Sequence, residues 1–205
     1  MFTYLILDNL PPVPEKFDQV VNDLAKHENT NSMHDLDTAD ERLINRAILG
    51  RYHGRVLTIN GEQHQATHGR RFRVNDEFEQ WVKVHIHPEV TDAGITFSGG
   101  GGRYHGAHTD QSRDFLLHYG IDAGGNNVET VFYQQKDHPV VRTKKFPFDN
   151  VIVDDYSKLI EVDRIALPTR CWCLLNANII HGVDNITGTR MSYHVGFNKN
   201  IFFSQ

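Results

Sequence analysis

The stretch HTDQSRDFLLHYGI, residues 108–121, joins a polar triplet to a run of aliphatic and aromatic residues. The run Phe115–Ile121 predicts a buried strand. In a locally extended backbone, His108 and Asp110 point to the same side of the chain, because side chains alternate along a strand. Two potential metal ligands would then share one face, and a third ligand of a metal site would have to come from elsewhere in the chain.

Outward from this stretch, the second half of the chain reads as a series of short strands. From Gly94 onward, β-branched and aromatic runs alternate with Gly, Asn and Asp, as in an antiparallel sandwich or barrel. The predicted strands in this half are 95–97, 115–121, 129–134, 151–156, 159–164, 171–175, 179–183 and 191–197. We therefore expect residues 95–200 to form a mostly β core.

The first 94 residues are expected to brace that core as a helical and hairpin scaffold. After a first strand at 3–7, apolar residues at helical spacing predict a helix over 14–27, and a capping box predicts a second helix over 38–50. Asn-Gly at 60–61 is a strong hairpin signal, and Asn75 is placed to cap a third helix. At 205 residues, the whole chain is expected to be a single domain.

Composition narrows the range of partners. The formal net charge of -5 argues against a broad phosphate-binding surface, so nucleic acid is an unfavoured partner. The short basic run of Arg70, Arg71 and Arg73 is expected to be a solvated face. The apolar run 1–10 favours a strand over a signal peptide, and no segment reaches the roughly 20 apolar residues that span a bilayer. We expect a cytoplasmic protein without a membrane partner.

A third metal ligand is expected at His181. It lies within 179–183, a β-branched run that suits a buried strand next to the first one in a closed sheet. His108, Asp110 and His181, called the triad below, would place two imidazoles and one carboxylate on one face of a metal. That arrangement leaves the opposite positions open, and Fe(II) oxygenases use those positions for cosubstrate and O2.

A carboxylate-binding pair follows the triad in the sequence. Nine residues after His181, Arg190 opens the last predicted strand, and Ser192 lies on the same side of it. A guanidinium group offers a two-pronged fork for a carboxylate, and the hydroxyl can donate a further hydrogen bond. A dicarboxylate cosubstrate would fit between the metal and Arg190.

This ordered set of three ligands and an arginine resembles the Fe(II)/2-oxoglutarate-dependent dioxygenase superfamily, in which His-x-Asp, a distal His and a downstream Arg occur in that order. The prolyl-4-hydroxylase-like branch is the most similar. Residues 97–104, FSGGGGRY, resemble that branch's glycine-rich loop and tyrosine, and residues 129–132 resemble another of its stretches. The resemblance covers about residues 95–198.

The resemblance implies a double-stranded β-helix, a jelly-roll or cupin-like barrel, that uses Fe(II), 2-oxoglutarate and O2. The triad would then be the catalytic metal ligands, and Arg190 would bind the far carboxylate of 2-oxoglutarate with Ser192. Tyr119 is a further candidate, because a tyrosine on the strand after His-x-Asp joins the arginine in some relatives. A core aromatic is the other interpretation of Tyr119.

The implied activity is hydroxylation of an organic substrate. A peptidyl side chain such as proline is the leading expectation, with a free amino acid or another small molecule next. The nucleic-acid demethylase branch typically has a second arginine six residues after the first, and this chain has Gly196 there. Together with the negative net charge, that makes base repair a less favoured function.

Two alternatives come from other classes of protein. The stretch His85-Ile86-His87-Pro88-Glu89 resembles the first motif of cupins, which suggests a cupin-type metal-binding enzyme that uses His85 and His87. The apolar spacing before it fits a helix end equally well. The second alternative is a noncatalytic β-barrel that serves as a binding or structural module.

Overall fold

Antiparallel strands dominate the computed structural model, and α-helices pack beside them. The structure describes residues 2–28, 48–52, 55–90, 92–99, 102–110, 113–136, 142–145 and 148–197. In chain order the elements are β1 (Tyr4–Leu7), α1 (Lys16–Glu28), β2 (Ile48–Tyr52), β3 (Val56–Ile59), β4 (Glu62–Gln65), β5 (His68–Phe72), α2 (Asp76–His85), β6 (Asp92–Gly99), β7 (His105–His108), β8 (Phe115–Asp122), β9 (Glu129–Gln135), β10 (Arg142–Lys145), β11 (Phe148–Val151), a 3-10 helix (Tyr156–Lys158), β12 (Leu159–Ile165), β13 (Trp172–Asn176), β14 (Ile180–Asp184) and β15 (Arg190–Phe197).

The strands pair into two main sheets. The large sheet has seven strands in the spatial order β1-β13-β8-β15-β6-β5-β2, and the small sheet has four in the order β12-β9-β14-β7. The other strands form the two-stranded pairs β3-β4 and β10-β11. Strands from the first 94 residues therefore lie in the same sheet as the last strand of the chain.

One face of the large sheet, the helix face, carries the main apolar core. The register places Tyr119 of β8 opposite both Tyr193 of β15 and Trp172 of β13. The helices cover this face, since Phe17 of α1 and Phe78 of α2 are buried and the Phe78 ring lies 4.9 Å from the Tyr193 ring. Burial of each such side chain contributes about 1.5–3 kcal/mol, which holds both helices against the sheet.

The opposite face of the large sheet, the inner face, packs against the small sheet and is largely polar. Leu116 and Cys173 of the large sheet contact Phe132 of the small sheet and form an apolar cluster between them. The buried polar residues of the inner face are Thr96, Ser98, His118, Ser192 and His194. Buried polar groups cost free energy unless they are hydrogen-bonded, so these side chains need partners inside the protein.

Several local predictions are confirmed. The first predicted helix is present as α1, and Asn75 caps α2 by accepting a hydrogen bond from the Phe78 N–H at 2.7 Å. The Asn60-Gly61 hairpin joins β3 to β4, with φ of 53° and 82° at its two turn residues. Such turns require positive φ at both positions, which Asn and Gly tolerate best.

Two local predictions are wrong. Of the helix expected over 38–50, residues 38–47 lie outside the described residues, but Ile48 begins a strand that pairs with β5, so the expected end near Gly50 is incorrect. The strand expected over 151–156 is also wrong as a continuous element, since β11 ends at Val151 and beyond it only isolated bridges form, from Ile152 to His108 and from Asp155 to Thr58. Asp155 then caps the 3-10 helix by accepting the Ser157 N–H at 3.0 Å, which favours a turn over an extended chain.

The expected fold class is confirmed in its coarse form: a mostly β protein with supporting helices. The described strands are consistent with a β-sandwich or jelly-roll-like fold, and they do not close into a barrel, which corrects that part of the expectation. The scaffold before residue 95 contains five strands as well as helices. Within the described part of the chain, no helix has the length and apolar character needed to cross a membrane.

Candidate metal centre

Two neighbouring strands of the small sheet bring the triad together. His108 ends β7 and lies directly opposite His181 of β14, with 4.8 Å between the ring centroids. Asp110 follows two residues after His108, and one potential ligand atom from each of the three residues lies within 4.8 Å of the others. Among the described residues, this is the one group of three or more His, Cys, Asp or Glu side chains so arranged.

Backbone hydrogen bonds fix both imidazoles of the triad in the form that can bind a metal. His108 Nδ1 lies 2.9 Å from the carbonyl oxygen of Gly106, and His181 Nδ1 lies 2.8 Å from that of Ile179. A carbonyl oxygen only accepts, so each Nδ1 carries the proton and each Nε2 keeps its lone pair. A hydrogen bond of this kind to the distal ring nitrogen is the usual support of a metal-binding histidine.

Asp110 presents one carboxylate oxygen to the two imidazoles. Its Oδ1 lies 3.5 Å from His108 Nε2 and 4.0 Å from His181 Nε2. A cation with bonds of about 2.1 Å can bridge donor atoms up to about 4.2 Å apart, so both separations fit a shared ion. The other oxygen, Oδ2, accepts a hydrogen bond from Arg113 Nε at 2.5 Å.

Asp110 and His181 have pKa values that suit the binding of a divalent cation. Burial alone would raise the pKa of Asp110, but the Arg113 guanidinium and the neighbouring histidines outweigh it and hold that pKa well below its usual range. Burial, followed by the charge of His108, lowers the pKa of His181 to about 4. At neutral pH Asp110 is therefore ionised and His181 is neutral, which suits metal binding without proton release from either group.

A second polar group lies around Arg190, where β15 begins. Arg190 Nη2 lies 3.4 Å from His118 Nε2 of β8, and His118 Nδ1 lies 3.3 Å from His194 Nε2. His194 also contacts Ser192 Oγ at 2.9 Å through Nε2 and Thr96 Oγ1 at 3.0 Å through Nδ1. We call Thr96, His118, Ser192 and His194 the histidine network.

One set of tautomers satisfies the histidine network. A guanidinium only donates, so His118 Nε2 accepts from Arg190 and His118 Nδ1 carries the proton. That proton points to His194 Nε2, whose one lone pair also accepts from the Ser192 hydroxyl at the shorter distance of 2.9 Å, and His194 Nδ1 then donates to Thr96 Oγ1. Burial, followed by the charge of Arg190, lowers the pKa of His118 well below its usual value, and burial followed by His118 does the same for His194. Both rings are therefore neutral beside a cationic arginine.

Tyr119 is not brought to Arg190. It is 2% exposed on the helix face, where its ring lies 5.0 Å from Trp172 and 6.3 Å from Tyr193. Side chains alternate along β8, so the residue that faces Arg190 is the preceding one, His118. The core-aromatic interpretation thus describes Tyr119, and His118 is a candidate site residue that the sequence did not reveal.

His105 is a second residue that the sequence analysis missed. The β7-β14 pairing contains a bulge between His108 and His105, and bulges commonly redirect side chains. The His105 ring lies 5.0 Å from the His108 ring, and its Nδ1 lies 3.5 Å from Thr67 Oγ1. Burial lowers the pKa of His105 well below its usual value, and His108 and Arg190 lower it further, so His105 feels both the triad and Arg190.

The other histidines named in the sequence analysis, His85 and His87, are not part of the triad's group. His85 is in the last turn of α2 and contacts Trp81, while His87 Nδ1 accepts the Glu89 N–H at 3.1 Å, as expected for a helix end. In the glycine-rich segment, residues 100–101 lie outside the described residues. Tyr104 contacts the His64 ring at a centroid distance of 5.2 Å.

A cavity of about 1030 Å³ borders strands of the small sheet. Thr109 and Ile180 line it, and these residues alternate in sequence with the triad residues. The N-terminal segment 2–6 forms another wall. This cavity therefore contacts the strands that carry the triad without containing the triad.

Comparison with known proteins gives distant similarity only. No family model matches the sequence, and no curated protein matches it. The chain is similar to the solved structure of E. coli ycfD at 14% identity and a TM-score of 0.40, covering 97% of this chain and 55% of that one, so it spans about half of ycfD's length. It is similar to a 2OG-Fe(II) oxygenase family oxidoreductase from Burkholderia pseudomallei at 10% identity and a TM-score of 0.36, covering 87% of this chain and 93% of that one. Both TM-scores are too low to assign a shared fold.

Proposed function

We propose that this protein is an Fe(II)- and 2-oxoglutarate-dependent oxygenase that hydroxylates an organic substrate. The observation that carries the proposal is the convergence of the triad. Nε2 of each histidine and Oδ1 of Asp110 lie near a common point, while both Nδ1 atoms and Oδ2 are hydrogen-bonded elsewhere. Three donors of this type on one side of an ion are the ligand set of non-haem Fe(II) oxygenases.

The roles of the chain's own groups follow from this geometry. His108, Asp110 and His181 would hold Fe(II) and leave the remaining coordination positions for small molecules. Iron bound there with 2-oxoglutarate and O2 would supply the oxidation of a substrate C–H bond to an alcohol, with succinate and CO2 as coproducts. The protein's part is to fix the ligands, exclude water and aim one substrate bond at the metal.

Arg190 is the proposed partner of the cosubstrate's far carboxylate. It lies on the inner face with Ser192 and the neutral histidine network, and the network can support the guanidinium without adding a competing positive charge. A guanidinium binds a carboxylate through two parallel hydrogen bonds. His118 takes the place beside Arg190 that the sequence analysis gave to Tyr119.

The fold, the branch of the superfamily and the substrate are parts of the same proposal. We propose a double-stranded β-helix arrangement of the two sheets, with Arg190 and the triad between them, in the prolyl-4-hydroxylase-like branch. The proposed substrate is a peptidyl side chain such as proline, followed by a free amino acid or another small molecule, with nucleic acid unfavoured. The supporting features are the glycine-rich segment before β7 and the net charge of -5.

The test is an anaerobic titration of the metal-free protein with Fe(II) and then 2-oxoglutarate, watched for the visible charge-transfer band of the chelate. We expect a band in the wild type and in His85→Ala, and none in His108→Ala. Succinate release in air would then screen peptide and amino-acid substrates. Metal binding lost in His85→Ala but kept in His108→Ala would favour the cupin-type alternative. Folded wild-type protein that binds no iron would favour the noncatalytic module.

A further inference from the structure

Arg113 makes the closest side-chain contact to a proposed metal ligand. Its Nε donates to Asp110 Oδ2 at 2.5 Å, and the side chains of both residues are 10% exposed. Hydrogen bonds between ionised groups are stronger than those between neutral groups, and burial away from water strengthens them more. Asp110 Oδ2 is therefore held by the protein, whereas Oδ1 faces the two imidazoles.

The far end of Arg113 is also held in place. Its Nη1 lies 3.5 Å from Asp92 Oδ1 of β6, and Asp92 in turn accepts hydrogen bonds from Arg71 of β5, one of them at 3.1 Å. Arg71 was expected on a solvated face, but its side chain is 17% exposed and ion-paired. A row of ion pairs therefore runs from the large sheet to the triad, in the order Arg71, Asp92, Arg113 and Asp110.

Gly196 makes room for this chain of charges. A Cβ at that position would lie 2.7 Å from Asp92 Oδ1 and 3.1 Å from Arg113 Cδ. The first distance is shorter than real side chains tolerate, so a larger residue there would displace Asp92, Arg113 or both. The observed positions of Asp92 and Arg113 therefore depend on a glycine at position 196.

We propose that Arg113 is a positioning residue that keeps Asp110 a one-oxygen ligand. This inference rests on the proposed metal site. A carboxylate free to rotate can bind a metal through both oxygens, which would fill a position that cosubstrate or O2 needs. By occupying Oδ2, Arg113 prevents that rotation and orients Oδ1. Outer-shell partners of metal ligands are typically worth 10-fold to 100-fold in metal affinity.

The test uses Co(II) as an air-stable spectroscopic probe and needs no turnover. Co(II) is titrated into metal-free wild type, Arg113→Met and Gly196→Ala, and the affinity and the visible d–d bands are recorded. Arg113→Met should weaken binding roughly 10-fold to 100-fold and alter the bands. Gly196→Ala should shift both readouts in the same direction, because the added Cβ clashes with Asp92 Oδ1 and crowds Arg113 Cδ, and so disturbs the ion pairs that hold Arg113 in place. Arg164→Met is the matched control, since it removes another ion-paired arginine, one bonded to Glu129, Glu161 and Asp184.

The outcomes separate this inference from the proposed function. If folded wild type binds no Co(II), the metal site itself is wrong. If wild type binds and Arg113→Met binds with the same affinity and spectrum, Arg113 has no positioning role. Should Arg113→Met fail to fold, Gly196→Ala decides alone: a loss of affinity with altered bands supports the role, and unchanged titrations overturn it.

Discussion

Strands β8 and β15 present two very different faces, because alternate residues along each strand point to opposite sides of the large sheet. On the helix face, Tyr119 pairs with Tyr193, and both are buried among aromatic rings. On the inner face, His118 pairs with His194, and both side chains are buried and hydrogen-bonded. Buried apolar area stabilises a fold directly, whereas buried polar groups gain little net free energy when hydrogen-bonded and cost free energy when they are not.

That difference separates the residues that stabilise this protein most from those around Arg190 in the candidate site. The helix face gains free energy with each buried ring. The inner face is costlier to maintain, since it holds neutral imidazoles beside Arg190 and needs a complete hydrogen-bond network. Buried ionisable groups with shifted pKa values of this kind are common at functional sites.

The largest expected effect is at the triad. His181→Ala should abolish stoichiometric iron binding, because only two ligands remain and the pair His108 and Asp110 is a weak site alone. Metal content after anaerobic reconstitution with Fe(II) measures this, with His85→Ala as the control that keeps its iron. Stoichiometric iron in His181→Ala would remove His181 from the site.

The next effect is on the helix face. Phe78→Ala should lower the free energy of unfolding by about 3–5 kcal/mol, because it leaves a cavity against Tyr193 and Phe17. Urea unfolding of the metal-free protein measures the change, and the milder Phe78→Leu should keep wild-type metal affinity. A loss below about 1 kcal/mol would show that the helix face is not the main stabilising surface.

A smaller effect is expected at Arg190, where β15 begins. Arg190→Ala should weaken 2-oxoglutarate binding by about 10-fold to 100-fold, the usual worth of a hydrogen bond to a charged group, and should leave Fe(II) bound. Calorimetric titration of the anaerobic Fe(II) protein measures it, with Arg164→Ala as the matched arginine control. Unchanged 2-oxoglutarate affinity would make Arg190 a structural residue.

The smallest effect concerns pH. Burial depresses the pKa of His118 in the folded state, so below the unfolded value of about 6.5 the unfolded chain binds a proton that the folded chain does not. Stability is therefore complete above about pH 6.5 and falls as the pH decreases, by about 1 kcal/mol per such histidine between pH 6.5 and 5.5. In urea unfolding of the metal-free protein, the free energy of unfolding of His118→Gln should fall less between pH 6.5 and 5.5 than that of the wild type, by about 1 kcal/mol. An identical pH dependence would mean that His118 is not buried and neutral.

Local sequence signals predicted much of the fold. The Asn60-Gly61 turn, the Asn75 cap and most β strands are present because each depends on dihedral preferences or caps within a few residues. The strand over 151–156 failed where a competing cap at Asp155 decided the conformation. The helix end near Gly50 failed where β2 gained a strand partner, which no local signal reveals.

The candidate site divides in the same way. By itself, the sequence determined the candidate triad and Arg190. The spacing of two put His108 and Asp110 on one side of an extended chain, and the β-branched run around His181 and the ordered resemblance to a known superfamily selected the other two residues. Only the tertiary structure decided that His118 rather than Tyr119 faces Arg190, that a bulge turns His105 toward His108, and that Arg113 holds Asp110. Alternation along a strand leaves open which set of residues faces inward, and the covering helices and the cross-strand register settle that choice.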